Sequence, residues 1–198
     1  MTKLIVATNN AHKVREIFEI LGDFFPEMVS LKQAGLDIDV VEDGETFAQN
    51  AVKKAEEVTR LTGLPALADD SGIEVEALGG DPGVYSARYA GRHGNDAGNN
   101  QKLLAMAAGL PYHKRKADFR AAIALSRPGR PTLVTEGVVW GRLAWGPHGD
   151  GGFGYDPLFI PEGYEKTFGE LPAEVKHAMS HRGNALRAMV KLLEAERG

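Results

Sequence analysis

The apolar pattern of the N-terminal third switches between strand and helix spacing, and this switching most constrains the fold. Residues 4–7 form a short apolar run that predicts a strand, and residues 10–21 carry apolar side chains at helical spacing. A second amphipathic helix is predicted over residues 45–62, and a buried strand over residues 64–68. The pattern therefore predicts an α/β (mixed α+β) fold on a mixed twisted sheet.

Predicted strands and helices continue to alternate in the remainder of the chain. Strands are predicted at 73–77, 119–125, 133–143 and 155–160, and helices at 95–108 and 180–196. A Pro/Gly turn at 128–131 joins two of the strands, so the middle of the chain predicts an antiparallel meander. Because no long polar linker interrupts the sequence, we expect one domain over residues 1–198.

Charge and composition exclude several classes of protein. The 198 residues include 23 Lys and Arg against 27 Asp and Glu, a net charge of −4, which argues against a nucleic-acid partner. The absence of cysteine excludes disulfides and thiolate metal sites. The N-terminal apolar run is too short for a signal peptide, and no run reaches the roughly 20 apolar residues of a membrane span. We expect a cytoplasmic protein with no membrane partner.

The loop between the first strand and the first helix is a candidate phosphate site. It comprises Thr8-Asn9-Asn10-Ala11-His12-Lys13. N–H groups at a helix start favour an anion, and Lys13 adds a positive charge one turn in. An ordinary helix cap with a surface lysine fits the same residues, and both interpretations stay open here.

Two acidic clusters precede or follow predicted elements. Glu42 and Glu45 stand just before and within the expected first turn of the second helix, where acidic residues also simply complement the helix dipole. Asp69 and Asp70 follow a buried strand directly, with Ser71 next to them. Adjacent carboxylates repel each other unless a cation or donors balance them, so this pair predicts a Mg²⁺ site.

A glycine-rich segment and a basic segment complete the candidates. The GxGxxG match at residues 149–154 does not open a helix, so it does not indicate a dinucleotide fold. A flexible loop that presents Phe153 for stacking on a flat ring, with Asp156 at the ring edge, is the better interpretation. Lys176, His181 and Arg182 offer donors to an anion or a carbonyl oxygen, or form a solvated basic turn.

Together these motifs, in this order, resemble the Ham1/RdgB family of inosine triphosphate pyrophosphatases, also called XTP/dITP diphosphatases. The resemblance covers essentially the whole chain. Its most specific parts are Asp69-Asp70-Ser71-Gly72, Gly152-Phe153-Gly154-Tyr155-Asp156-Pro157 and Ser180-His181-Arg182-Gly183. One departure is Asn9, where the family loop often has glycine.

The resemblance implies a specific chemistry. A nucleoside triphosphate with a deaminated purine (ITP, dITP or XTP) would be hydrolysed to the monophosphate and pyrophosphate with Mg²⁺. It also implies a homodimer, and an elongated mixed sheet flanked by helices with two lobes and a nucleotide cleft between them.

Roles follow by position in the motifs. Glu42 and Asp70 would bind Mg²⁺, and Asp70, with Asp69 close by, would act as the base toward water. The triphosphate would be held by the loop up to Lys13 and by Lys54. The remaining substrate-binding residues would be Ser71, Phe153, Gly154, Tyr155, Asp156, Lys176, His181 and Arg182.

Three rival functions stay open at this stage. The chain could bind a nucleotide without turnover, bind structured nucleic acid or a partner protein, or act on canonical or methylated pyrimidine nucleotides. Lys13, Glu42, Asp69 and Asp70 form an intact set of catalytic side-chain types, which favours an enzyme over a binding module.

Overall fold

The computed structural model of the chain describes residues 3–197. Its strands are β1 (Leu4–Val6), β2 (Met28–Ser30), β3 (Ala66–Val75), β4 (Lys116–Arg127), β5 (Arg130–Leu143) and β6 (Phe159–Pro161). Its α-helices are α1 (Ala11–Leu21), α2 (Phe47–Thr62), α3 (Asp96–Met106), α4 (Ala173–Met179) and α5 (His181–Ala195). No helix within the described residues is long and apolar enough to cross a membrane.

The strands form one mixed sheet in the order β2-β1-β3-β4-β5-β6. β1 pairs in parallel with β2 and with β3, whereas β5 and β6 pair antiparallel. Parallel strands are joined by crossover connections, which here contain α1 between β1 and β2, and α2 between β2 and β3 on the other side of β1. The predicted mixed α/β class is therefore confirmed.

The chain divides into two compact units, each with its own core. Unit 1 comprises the chain up to Asp70, Ala121–Gly137 and the chain from His181 onward. The apolar faces of α1 and α5 pack on β1, β3 and β4 in this unit. The buried core residues of unit 1 include Leu4, Val6, Ile17, Leu21, Leu67, Ile123, Leu186 and Met189.

Unit 2 comprises Ser71–Arg120 and Val138–Ser180. Its core is rich in aromatic rings: Phe119, Phe159 and Phe168 are buried, and the centroids of the first two lie 4.7 Å apart. Rings at this separation in a tilted arrangement are favoured.

Local sequence signals set the ends of the first two helices. Asn10 caps α1, since its side chain accepts hydrogen bonds from the backbone N–H groups of His12 and Lys13. Thr46 caps α2, which ends at Gly63 in the left-handed conformation. Glu45 therefore lies before the cap of α2, and its predicted position in the first helical turn is wrong.

The position of the acidic pair also differs from the prediction. A strand was expected to end at Asp69, with a second strand starting after Gly72. Instead β3 runs unbroken from Ala66 to Val75, so both carboxylates project from the middle of a buried strand. Aspartate disfavours strands when its charge is unbalanced, and the basic partners described below supply the balance.

Other elements were missed or misplaced. The sequence did not predict β2 or α4, each of which has seven residues or fewer. The strand predicted over 155–160 is mostly a 3₁₀ turn at Asp156–Leu158, and only β6 follows it. Proline in the first turn favours this helical start over a strand. Ala77, predicted in a strand, lies in a second 3₁₀ turn at Glu76–Leu78.

Candidate functional site

Asp69 and Asp70 occupy two different environments because successive strand residues point to opposite faces. The Asp69 side chain is fully buried, and that of Asp70 is 10% exposed. Each carboxylate has its own set of basic neighbours. The sequence expectation that this pair requires positive charge is met within unit 1.

Asp69 lies between two cations from different helices. Lys13 of α1 forms an ion pair with its Oδ1, and Nε of Arg182, from α5, donates to its Oδ2 at 2.9 Å. Arg182 also donates from Nη1 to Glu16 of α1 at 2.7 Å. Lys13 and Glu16 are three residues apart on α1, so they share one helix face.

Electrostatics in this group favour the charged forms of the acid and of the arginine. Burial alone would raise the pKa of Asp69, but the charges of Arg182 and Lys13 outweigh burial and lower that pKa. The pKa of Arg182 is raised, because the attraction of Asp69 and Glu16 exceeds the effect of burial. Burial lowers the pKa of Lys13 despite the attraction of Asp69. Asp69 thus stays ionised and is held in place by two partners.

Asp70 shares a lysine with Glu42. Nζ of Lys54, on α2, donates to Glu42 Oε1 at 2.5 Å and to the backbone oxygen of Asp69 at 2.7 Å. It lies 3.7 Å from Asp70 Oδ1. Asn50, one turn earlier on α2, accepts a hydrogen bond from the backbone N–H of Gly44 at 2.8 Å. That bond fixes the segment that carries Glu42.

Burial raises the pKa of Asp70, and the negative charge of Glu42 raises it further, against the opposing effects of Lys54, Lys13 and Asn50. The pKa of Lys54 is raised as well, since attraction by Asp70 and Glu42 exceeds the effect of burial. Asp70 is thus the carboxylate of the pair that is readier to take up a proton. That property suits a group that accepts a proton from water.

The pair Glu42 and Asp70 fits a magnesium ion as its protein ligand set. Mg²⁺ prefers hard oxygen ligands and is commonly held by one or two carboxylates together with water and substrate phosphates. Both carboxylates already contact one cation, the Lys54 ammonium. Within residues 3–197 no group of three or more His, Cys, Asp or Glu could hold a metal. Ligands beyond these two carboxylates would be of other kinds, such as water and the phosphate oxygens of a substrate.

The loop before α1 uses some of its donors internally. Asn10 Oδ1 accepts from the N–H groups of His12 at 3.0 Å and Lys13 at 3.2 Å. The hydroxyl oxygen of Thr8 accepts from the N–H of Asn10 at 3.2 Å. Asn9 and Ala11 are exposed. The loop is therefore held in one shape by its own side chains, and Lys13 leaves it toward Asp69.

Within unit 2, the structure gathers three of the predicted base-binding residues. Nζ of Lys176 donates to Asp156 Oδ2 at 2.5 Å, and the backbone N–H of Phe153 donates to the same oxygen at 2.7 Å. The Lys176 ammonium lies 4.8 Å from the centroid of the Phe153 ring. Gly154 adopts a positive φ of 60°, which lets the chain turn directly after Phe153. A ring, a cation and a carboxylate thus form one cluster.

The other predicted site residues of these segments are Ser71 and Tyr155 in unit 2 and His181 and Arg182 in unit 1. Tyr155 is buried, its hydroxyl donates to the Ser86 backbone oxygen at 2.8 Å, and burial raises its pKa, so it packs in the core of unit 2. His181 is buried at the start of α5 in unit 1, beside Arg182, whose guanidinium contacts carboxylates. Ser71 is half-buried in β3 and belongs to unit 2.

Comparison with known proteins identifies the family of this chain. The sequence profile of the Ham1 family matches residues 4–192. The chain belongs to the Ham1 family. It is 48% identical to the dITP/XTP pyrophosphatase of Clostridium perfringens over 195 residues, with 96% of each chain covered. It is 50% identical to the Geobacter sulfurreducens dITP/XTP pyrophosphatase over 186 residues, with 94% of each covered.

A solved structure of the Ham1 family also matches the fold. The Ham1 protein of Staphylococcus aureus superposes with a TM-score of 0.89 at 39% sequence identity, covering 98% of this chain and 99% of that one. The resemblance to the Ham1 family that the motifs indicated is confirmed.

Four residues of this Ham1 chain, two in each unit, contact the predicted site residues but were not predicted. Glu16 and Asn50 support Arg182 and the Glu42 segment, as described above. In α3, Asn100 Nδ2 donates to the Gly154 backbone oxygen at 3.0 Å, and Asp96 Oδ2 accepts from the Gly154 N–H at 2.9 Å. The only sequence signal is helical spacing, since Glu16 follows Lys13 by three residues and Asn50 precedes Lys54 by four.

Proposed function

We propose that this chain hydrolyses dITP, ITP and XTP to the corresponding monophosphate and pyrophosphate, and so removes deaminated purines from the nucleotide pool. Its relatives are dITP/XTP pyrophosphatases over nearly their full length. One arrangement supports this reaction above all. The buried Asp70, with its raised pKa, lies beside Glu42 and two lysines that can neutralise phosphate charge.

In this mechanism Asp70 orients a water molecule and accepts its proton as the water oxygen bonds to phosphorus. The phosphoanhydride bond then breaks, and pyrophosphate leaves with the electron pair. Lys13 and Lys54 counter the charge of the triphosphate, where positioning and charge neutralisation provide most of the barrier reduction. Arg182 positions Asp69 through the 2.9 Å hydrogen bond, and Asp69 in turn holds Lys13.

We propose that Mg²⁺ is the cofactor and that Glu42 and Asp70 hold it. When bound, the ion would lower the pKa of a coordinated water and neutralise phosphate charge. Two carboxylates that share one ammonium are the chemistry that supports this assignment. The homodimer and the nucleotide cleft implied by the family resemblance stay predictions, as do the cytoplasmic location and the single domain.

The cluster in unit 2 supports recognition of the purine base. Phe153 offers a ring for stacking, and Lys176 offers a donor to the C6 carbonyl of hypoxanthine or xanthine. Adenine carries an amino group at that position, which would leave the ammonium proton that faces the base without an acceptor, although Asp156 still accepts from Lys176. A buried donor left unpaired disfavours the wrong base strongly. Lys176 and Asp156 are both buried, so this discrimination is strengthened by low solvent access.

The identity of the products tests the proposed reaction. ITP incubated with the protein and Mg²⁺ is expected to give IMP and pyrophosphate in equal amounts, observed by ³¹P NMR. Formation of IDP and phosphate would instead indicate attack at the terminal phosphate. Tight binding of ITP with neither product would favour the alternative of a nucleotide-binding module.

Replacing Phe153 by alanine should weaken nucleotide binding with little effect on the chemical step. Stacking on an aromatic ring contributes about 1–3 kcal/mol per base, so KM for ITP should rise about 5- to 150-fold while kcat changes little. Phe153→Tyr keeps the ring and is the matched control, expected near wild type. Equal KM values for the alanine variant and the wild type would rule out stacking by Phe153.

The paired substitution Lys176→Met with Asp156→Asn should reduce the preference for ITP over ATP. Removing both charges avoids leaving a lone carboxylate in a buried position, which would itself destabilise the fold. The ratio of kcat/KM for the two nucleotides should fall by at least about tenfold. The single variant Asp156→Asn, which keeps the lysine, serves as the comparison. A folded double variant with the original ratio would exclude Lys176 as the base-reading donor.

A further inference from the structure

Lys54 bridges the two carboxylates that are assigned to magnesium. Its ammonium donates to Glu42 at 2.5 Å and lies 3.7 Å from Asp70, while the Lys54 side chain is only 13% exposed. The ammonium also donates to the backbone oxygen of Asp69, in β3, at 2.7 Å. This third contact holds the ammonium beside the two carboxylates. A positive charge thus already occupies the region between the two proposed ligands.

A divalent ion and this ammonium compete for the same oxygens. Mg²⁺ requires ligand oxygens at about 2.0–2.1 Å, a distance at which no proton-bearing nitrogen can lie between the ion and its ligand. A lysine ammonium at the same carboxylate would also repel the ion. The two cations therefore compete for Glu42 Oε1 and Asp70 Oδ1, the oxygens nearest to the ammonium.

We propose that Lys54 is an exchangeable internal cation, which partly balances the charges of Glu42 and Asp70 in the metal-free protein and is displaced from them when the metal binds. The displaced ammonium, on a four-carbon stem, is then available to the triphosphate. The exchange keeps a positive charge beside the two carboxylates in both states. This inference rests on the proposed metal-dependent function.

Lys53 provides a matched control within the same helix turn. Its ammonium pairs with Asp43 at 2.6 Å, but the two side chains are 42% and 66% exposed. Exposed pairs of this kind contribute little to stability. Lys53→Met removes one positive charge from the position directly before Lys54 on α2. It leaves the contacts of Glu42 and Asp70 with Lys54 unchanged.

Binding of Mn²⁺ alone, followed by electron paramagnetic resonance without nucleotide, tests the competition. Lys54→Met should bind Mn²⁺ at least about tenfold more tightly than the wild type, and Lys53→Met should bind as the wild type does. In EDTA the thermal midpoint of Lys54→Met should be lower, and Mg²⁺ should raise it by more than in the wild type. Unchanged or weaker Mn²⁺ binding by Lys54→Met would overturn the exchange.

A second experiment distinguishes displacement of the Lys54 ammonium by the metal from simple repulsion between the two cations. The Nζ–H resonance of Lys54, assigned by its loss in Lys54→Met, should be visible in the metal-free full-length protein because that ammonium is hydrogen-bonded and shielded. Addition of Mg²⁺ should shift or abolish it. A resonance unchanged at saturating Mg²⁺ would overturn displacement even if Lys54→Met binds metal more tightly. Neither readout requires turnover, so either can fail while the proposed reaction holds.

Discussion

Replacing Asp70 by asparagine is expected to remove most of the activity while making the folded protein more stable. The amide cannot accept the proton of the attacking water, so kcat for ITP should fall by about 10³-fold or more. The side chain keeps its shape in β3, and the charge cluster on Asp69 is not touched. Initial rates with saturating Mg²⁺ measure the loss.

The gain in stability follows from the raised pKa of Asp70. Burial makes the ionised form unfavourable in the folded state, so the ionised Asp70 lowers stability as pH rises from the ordinary value of 3.8 through the raised folded pKa. Asp70→Asn should therefore unfold at higher urea concentration than the wild type at pH 7 in EDTA. The difference should vanish below about pH 3.8, where both side chains are neutral.

Asp43→Asn is the matched control, since Asp43 is an exposed carboxylate in the segment before α2. Its rate and stability should stay close to wild type. Near-wild-type turnover by Asp70→Asn would exclude Asp70 as the base. Lower stability of Asp70→Asn at pH 7 would show that burial does not penalise its charge.

Substituting Arg182 by methionine should destabilise the fold more than any other single change considered. Arg182 is 1% exposed and contacts both Asp69 and Glu16. Removing one partner of a buried ion pair typically costs about 3–5 kcal/mol, because the remaining carboxylates lose their compensation. Urea unfolding at pH 7 should give that decrease in the free energy of unfolding without a change in the denaturant slope.

Arg60 offers the surface comparison for this substitution. It pairs with Glu57 on α2, and the Arg60 side chain is 66% exposed. Arg60→Met should change the free energy of unfolding by no more than about 0.5 kcal/mol. A similar small effect for Arg182→Met would mean that the Asp69 cluster contributes little to folding.

The long helices were predictable because their signals are local. The apolar spacing of α1 and α2 and their cap residues Asn10, Thr46 and Gly63 all lie within a few positions of the helix ends. In the same way, a two-residue connection at Pro128–Gly129 separates β4 from β5 at the predicted turn. Neighbouring residues alone determine these features.

The mid-strand position of Asp69 and Asp70 was not predictable from local pattern. Two aspartates disfavour a strand, and only partners remote in sequence reverse that preference. Arg182 lies 113 residues from Asp69, and Lys13 lies on another helix. The spacing of residues in the sequence does not indicate which remote side chains contact each other. The prediction named Lys13, Asp69 and Arg182 individually but could not assign one to another.

The short elements escaped prediction for a different reason. β2 has three residues and α4 has seven, so neither spans enough periods to reveal its spacing. The glycine-rich segment before Asp156 brings Phe153 next to Lys176, and the stacking of its ring on a base stays a prediction. The fixation of this segment by Asp96 and Asn100 of α3 is again a contact between remote residues.

Initial rates of pyrophosphate release from dITP, XTP, ATP and GTP, each with Mg²⁺ and with EDTA, test the proposed function most directly. We expect release from dITP and XTP that EDTA abolishes, and little release from ATP, whose adenine lacks the C6 carbonyl that Lys176 would bind. Guanine carries that carbonyl, so GTP shows whether the base is read at a further position. Equal rates with ATP, dITP and XTP would contradict base recognition by the Phe153 and Lys176 cluster. Release that persists in EDTA would contradict the metal assigned to Glu42 and Asp70, and no release from any nucleotide would contradict the reaction itself.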